Sequence, residues 1–287
     1  MSVTDVDALQ SAVEAGANTP PGEALPPDTE AVILALLDAL ERNHVRAAER
    51  DSDGRWHAVP WVKRGILLGF RFGRVIDMSP APPSPFRFFD KHTFPTQSLA
   101  AGHGVRIVPG GSTIRRGSYV SPGVVCMPPM FINVGAWVGA GTMVDSHALI
   151  GSCAQIGARV HVSAAAQIGG VLEPVNATPV IVEDDVFVGG NCGIYEGTIV
   201  RERAVLASGV ILTHGVPVYD LVREVVYRGV DGDPLEIPAG AVVVPGARTM
   251  GGEWARAQGL ALQTPVIVKY RDSGTDASTE LEHALRG

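Results

Sequence analysis

The chain has 287 residues, 46% hydrophobic and 18% charged, with a formal net charge of −7. That balance is of a buried core and excludes a disordered chain, and the length calls for two or three units rather than one. The acidic sum argues against a nucleic-acid partner, and no apolar run approaches the ~18–20 residues that span a bilayer.

Residues 1–104 are expected to form an α-rich N-terminal domain ending in a Pro-rich linker. The first residues are acidic and lack a basic-then-apolar leader, so a cytoplasmic protein is expected. A helix starts near Thr4 with the stripe Val6, Leu9, Val13, and Gly16 is expected to close it. After the Pro-rich break at 19–27, Asp28 or Thr29 can cap a second helix whose core face is Ile33, Leu36, Leu37 and Leu40. Strands over 45–50 and 56–59, joined by a turn at 51–54, make a hairpin, and 61–70 reads as a third helix. Residues 79–85 (SPAPPSP) read as a stiff linker.

A different pattern then takes over. Every sixth residue from Val108 to Ile168 is aliphatic or Cys, and the phase resumes at Val182, Val188, Ile194, Val200, Leu206 and Leu212. Four residues after most of these stands a small or aliphatic side chain such as Ala136, Thr142, Ala148 or Ala166. A period of six fits neither a helix nor a plain strand. It is the period of a hexapeptide β-helix, each rung supplying one short strand and one corner. The aliphatic residue points into a triangular prism and the small one fits near the corner. At three rungs per turn the train makes nearly six coils, a prism roughly 27 Å long. The fold class is thus mainly β: a parallel β-helix over 105–250, left-handed by association with this repeat. Excursions leave it at 169–181 and 213–236. A cap over 251–287 contains a strand at 266–270 and a terminal helix at 278–285.

Cys126, Cys153 and Cys192 have no CxxC spacing and read as buried, reduced thiols. Gly139-x-Gly141 precedes a rung rather than a helix, which rejects a dinucleotide or phosphate loop. The slot after the buried aliphatic is mostly Gly (139, 151, 157, 169, 189), but Asp145 and Glu183 share it, so Asp145 is either structural or chemical.

The strings Gly141-Thr-Met-Val-Asp145, Gly151-Ser-Cys-Ala-Gln-Ile-Gly157 and Gly169-Gly-Val-Leu-Glu-Pro174 occur in order, with Arg106-Ile-Val-Pro109 before them and Val242-Val-Val-Pro-Gly246 after. Together they closely resemble the tetrahydrodipicolinate N-succinyltransferase family, from about Trp61 to Ala247. The resemblance implies a homotrimer with active sites between prisms. It also implies succinyl transfer from succinyl-CoA, as co-substrate, to the amino group of a ring-opened dicarboxylate, with no permanently bound cofactor or metal, on the route to diaminopimelate and lysine. Under it, Arg106 binds an acceptor carboxylate, for which a guanidinium fork is suited. Asp145 is the catalytic carboxylate, acting as base or orienting the amine. Gly189 and Gly190 offer backbone N–H groups to the oxyanion. These two, with Ser208 and Gly209, line the CoA site, and Arg228 and Lys269 are candidate phosphate partners.

One departure is visible. Some members carry a second glutamate at the position of Gly193. Glu196, three residues on, matches another family glutamate and either enters the cleft as a second catalytic group or is an exposed corner residue. Three competing readings stand beside this one. The first is a related acyltransferase using His147 or His161 as base, and the second a metal hydratase needing three histidine ligands. The third is a non-catalytic scaffold.

Overall fold

The structure is a computed structural model that describes residues 3–82, 84–230 and 232–275. The expected helix at 278–285 lies outside the described residues.

Three helices open the chain: α1 (Val3–Ala17), α2 (Thr29–Glu41) and α3 (Pro60–Phe72). Leu9 and Val13 of α1, Ile33, Leu36, Leu37 and Leu40 of α2 and Val62 and Ile66 of α3 share one apolar cluster. Pro60 opens α3 where a missing N–H loses nothing. Gly16 does not terminate α1 but lies inside it, because a Cβ there would stand 2.7 Å from Leu68 Cδ2 of α3. Strands 48–50 and 56–58 pair as the expected hairpin. The proline-rich stretch does not separate two bodies. It connects strands 75–77 and 89–91, which pair antiparallel, so apolar residues on each side of the prolines decide the local structure.

From Arg106 onward two-residue strands wind into three parallel columns. From Thr113 onward, where no excursion intervenes, each strand pairs with the one eighteen positions later, as Val125 with Met143 and Met143 with His161. Three six-residue rungs therefore make one coil. The buried aliphatics Ile132, Val138, Val144, Ile150 and Ile156 and their small partners Ala136, Thr142, Ala148 and Ala154 fill the axis. Corners turn through a residue at positive φ, whether Gly141 (+70°) or the side-chain-bearing His147 (+62°), Ala165 (+59°) and Asn191 (+57°). The N–H of this residue donates to a carbonyl one coil below, as Ala165 to Ser146 at 2.9 Å and Asn191 to Ala164 at 3.0 Å. That hydrogen bond offsets the strain of a left-handed residue that is not glycine.

Two excursions interrupt the winding. Gln155 pairs with Ile181, eight residues beyond the regular step, and Ile199 pairs with Glu236, nineteen beyond it. Both leave from the same prism edge. The second carries strands 218–220 and 225–227, and 219–220 pairs with 266–267. The last strand, 241–249, runs off the prism and pairs antiparallel with 261–270, twice the length expected from the sequence. The N-terminal helices lie on the prism: Val134 and Cys153 belong to their apolar cluster, and Ala48 and Trp56 of the hairpin pack on Ile181 and Ile199.

Candidate active-site edge of the prism

After Val144 enters the core, the chain turns through Asp145, Ser146, His147 and Ala148 before Leu149 starts the next strand. Met143, His161, Phe187 and Val205 are successive partners in one column. The corners that follow them, at 145–148, 163–166, 189–192 and 207–210, therefore stack on one edge. Asp145, Gly189, Gly190, Ser208 and Gly209 are brought together there, from three coils.

The Asp145 carboxylate is held by one hydrogen bond and has an imidazole close to its other oxygen. Its Oδ1 accepts the Ser146 N–H at 2.7 Å, and its Oδ2 lies 3.9 Å from His161 Nε2. The aspartate side chain is 30% exposed and the imidazole 10%, so the carboxylate faces solvent with the histidine behind it. The imidazole meets Phe187 edge-on at 5.1 Å. His161 is one of the two candidate bases of the competing acyltransferase reading. The structure buries it beside the carboxylate. The signal was present in the eighteen-residue coil, which sets residue 161 over 143, two places from 145. His147 is exposed at the same corner.

The edge also sorts the backbone donors. The Gly189 N–H donates to Leu206 O at 2.8 Å and the Gly209 N–H to Gly190 O at 3.0 Å, so both are committed. The N–H groups of Gly190 and Ser208 make no hydrogen bond among the described residues. Gly189 is required for another reason: a Cβ there would stand 2.6 Å from Ser208 N and 2.7 Å from Leu206 O. A carboxylate-bearing residue at 145 escapes this restriction, although it occupies the same slot.

Arg106 opens the Met143 column. It pairs with Val125, two strand spacings or about 10 Å from Met143, and is exposed. Glu196 stands on a different edge, exposed, at φ +54°, and accepts the His214 N–H at 2.8 Å. One chain does not bring Glu196 to Asp145. At Gly193 the space for a side chain is taken: a Cβ would meet Tyr195 Cε2 at 2.4 Å and its hydroxyl oxygen at 2.9 Å. Arg228 is exposed in the second excursion, and Lys269 is paired with Asp272 at 3.0 Å. Among the described residues no group of three His, Cys, Asp or Glu side chains stands close enough to hold a metal.

Comparison with known proteins places this architecture. A family model described as the tetrahydrodipicolinate N-succinyltransferase N-terminal matches residues 7–72, and one described as the hexapeptide repeat of succinyl-transferase matches 179–214. A 2,3,4,5-tetrahydropyridine-2,6-dicarboxylate N-succinyltransferase of Polynucleobacter asymbioticus is 38% identical over 293 aligned positions, covering 100% of both chains. The chain belongs to the tetrahydrodipicolinate N-succinyltransferase family. Family members of the same name from Ralstonia nicotianae and Nitrobacter hamburgensis are 40% and 41% identical, over 97% and 87% of each chain. A solved Campylobacter jejuni protein assigned as a 2,3,4,5-tetrahydropyridine-2-carboxylate N-succinyltransferase aligns at 17% identity with a TM-score of 0.46. The alignment covers 83% of this chain and 62% of that one. Within this family the prism is a left-handed parallel β-helix, and the first model match spans most of the three-helix cluster that rests on it.

Proposed function

We propose that this chain transfers a succinyl group from succinyl-CoA to the amino group of ring-opened, hydrated tetrahydrodipicolinate. It does so as a cytoplasmic homotrimer whose sites lie between neighbouring prisms. The observation that carries this reading is the solvent-facing Asp145 carboxylate, held by the Ser146 N–H on the same edge as the uncommitted amides of Gly190 and Ser208. The names of the aligned relatives supply the substrate class.

The chemistry then runs on this chain's own groups. Arg106 forks around one acceptor carboxylate and fixes the amine. Asp145 takes a proton from the amine as its nitrogen attacks the thioester carbon. The carbonyl oxygen becomes an oxyanion, for which the Gly190 and Ser208 N–H groups are the available donors on this edge. Collapse restores the carbonyl as an amide and expels the CoA thiolate, which takes up a proton. Gly189 and Gly209 contribute shape rather than donors, since their amides are occupied. Glu196, being on another edge, can act with Asp145 only across chains.

A second reading makes His161 the base, and its nearness to Asp145 is the observation in its favour. Its burial behind the carboxylate counts against direct contact with an acceptor, so here it is a positioning residue. The test is release of free thiol from succinyl-CoA or acetyl-CoA with the cyclic acceptor. Asp145→Asn is expected to lower kcat by about 10²–10⁴-fold, the range for loss of a general base. Turnover with acetyl-CoA alone rejects the donor, and an active Asp145→Asn enzyme beside an inactive His161→Ala enzyme rejects the base.

A further inference from the structure

The slot after the buried aliphatic holds Asp145, Gly169 and Gly189 at other corners, and Tyr195 at the corner after Ile194. A ring of that size does not fit against the next coil, and it folds back over the strand that precedes it. Ile168 pairs with Ile194, so Gly169 lies one coil below Tyr195. A Cβ on Gly169 would stand 2.9 Å from Tyr195 Cδ1. One on Gly193 would stand 2.4 Å from Cε2 and 2.9 Å from the hydroxyl oxygen. The two glycines are the floor on which the ring rests, and the hydroxyl lies over Gly193, two residues back along the chain.

Direction matters here. The strand at 193–194 starts from the corner 189–192, which belongs to the Asp145 edge. A hydroxyl over Gly193 is therefore carried back from its own corner toward Gly190. Tyr195 is half-buried, and its hydroxyl makes no hydrogen bond among the described residues. Glu196, next in the chain, stays at the other edge, where its carboxylate accepts the His214 N–H at 2.8 Å. The corners 163–166, 189–192 and 207–210 contain no acidic residue. This part of the edge thus offers neutral donors, the Gly190 and Ser208 N–H groups and the phenol, with no carboxylate among them to repel an anion.

We infer that the Tyr195 hydroxyl donates to the distal carboxylate of the succinyl donor and so sets the acyl group that the site prefers. The inference rests on the acyl-transfer reading above, with the thioester oxygen on the Gly190 N–H. Gly190 is three residues from Gly193, at most about 10 Å away. A succinyl group with a hydrogen bond at each end covers roughly that distance. An acetyl group ends about halfway and leaves the phenol without a partner. Arg106 does not serve the same carboxylate. Successive pairing of Arg106, Val125, Met143, His161 and Phe187 puts it four strand spacings, roughly 20 Å, below the level of Gly190. Asp145 lies between the two levels, so the acceptor's carboxylate and the donor's are held at opposite ends of the edge.

Butyryl-CoA supplies the comparison, because its acyl chain has the same four carbons and no carboxylate. Calorimetric titration of succinyl-CoA and of butyryl-CoA into the full-length protein gives the preference of the parent. Tyr195→Phe removes only the hydroxyl and keeps the ring on Gly169 and Gly193. It is expected to reduce the succinyl-over-butyryl ratio of affinities by about tenfold, a difference of ~1.4 kcal/mol. The ratio of kcat/KM for thiol release with the cyclic acceptor should fall by a similar factor. An unaltered ratio in Tyr195→Phe, or an equal loss with both donors, as a merely structural ring would give, overturns the assignment. A parent that releases no thiol from succinyl-CoA rejects the acyl-transfer reading itself. A parent active with succinyl-CoA whose preference survives Tyr195→Phe rejects the role of Tyr195 alone.

Discussion

At the scale of single residues, the edge works by commitments that a sequence does not display. Asp145 and Gly189 occupy equivalent slots, yet one presents a carboxylate and the other exists because the next coil's backbone lies against it. Tyr195 behaves similarly toward Gly193. Gly193→Ala is expected to destabilise the fold by about 1–3 kcal/mol, the usual penalty for overpacking, as the ring is forced aside. Adding Tyr195→Ala should recover most of it, and urea unfolding of the two single variants and the double variant measures the coupling. Additive effects would show that the ring does not fill that space. The buried thiols make a second prediction. Burial pushes Cys126 and Cys153 from 9.0 up to about 12. Their contribution to stability is whole below pH 9 and declines as pH rises toward 12, because the unfolded chain ionises first. The slope is about 1.4 kcal/mol per pH unit for each thiol. Cys126→Val, which keeps the aliphatic pattern, should lose less stability between pH 8 and pH 11 than the parent does.

At the scale of elements, two-residue strands hold only because each coil stacks on its neighbours, and the ejected loops need separate anchors. For the first excursion the anchor is Lys63 of α3, fully buried, whose ammonium donates to Ala177 O at 2.5 Å. Lys63→Met keeps the apolar stem and removes the donor, leaving the Ala177 carbonyl without that partner. Faster amide hydrogen exchange over 170–179 is expected, with the coils on either side unchanged. Equal protection in the variant would show that the loop is held by other contacts. The second excursion is tied by Tyr270, whose hydroxyl donates to the buried Asp220 at 2.6 Å. These ties join the excursions to elements far away in sequence, which is why periodicity alone marked where the loops leave but not where they land.

At the scale of the whole molecule, one chain sets Glu196 and Asp145 on different edges, so only a neighbouring chain of the proposed trimer could bring the two together. Sedimentation should give about three times the 30.1 kDa chain mass, and a monomer that turns over substrate would remove the inter-chain site. Much of this protein was legible beforehand. Residues six apart repeat their direction, so aliphatics from Val108 to Leu212 fixed the winding, and the strings around Asp145 fixed the family. The sequence alone could do this because strand direction and core filling are local properties of each rung. Only the tertiary structure decided that His161 lies behind Asp145, that the Gly189 amide is spent while that of Gly190 is not, and that Glu196 faces another edge. Those facts depend on how coils of unequal length stack, and hydrogen-bond partners follow from that stacking rather than from any one residue's identity.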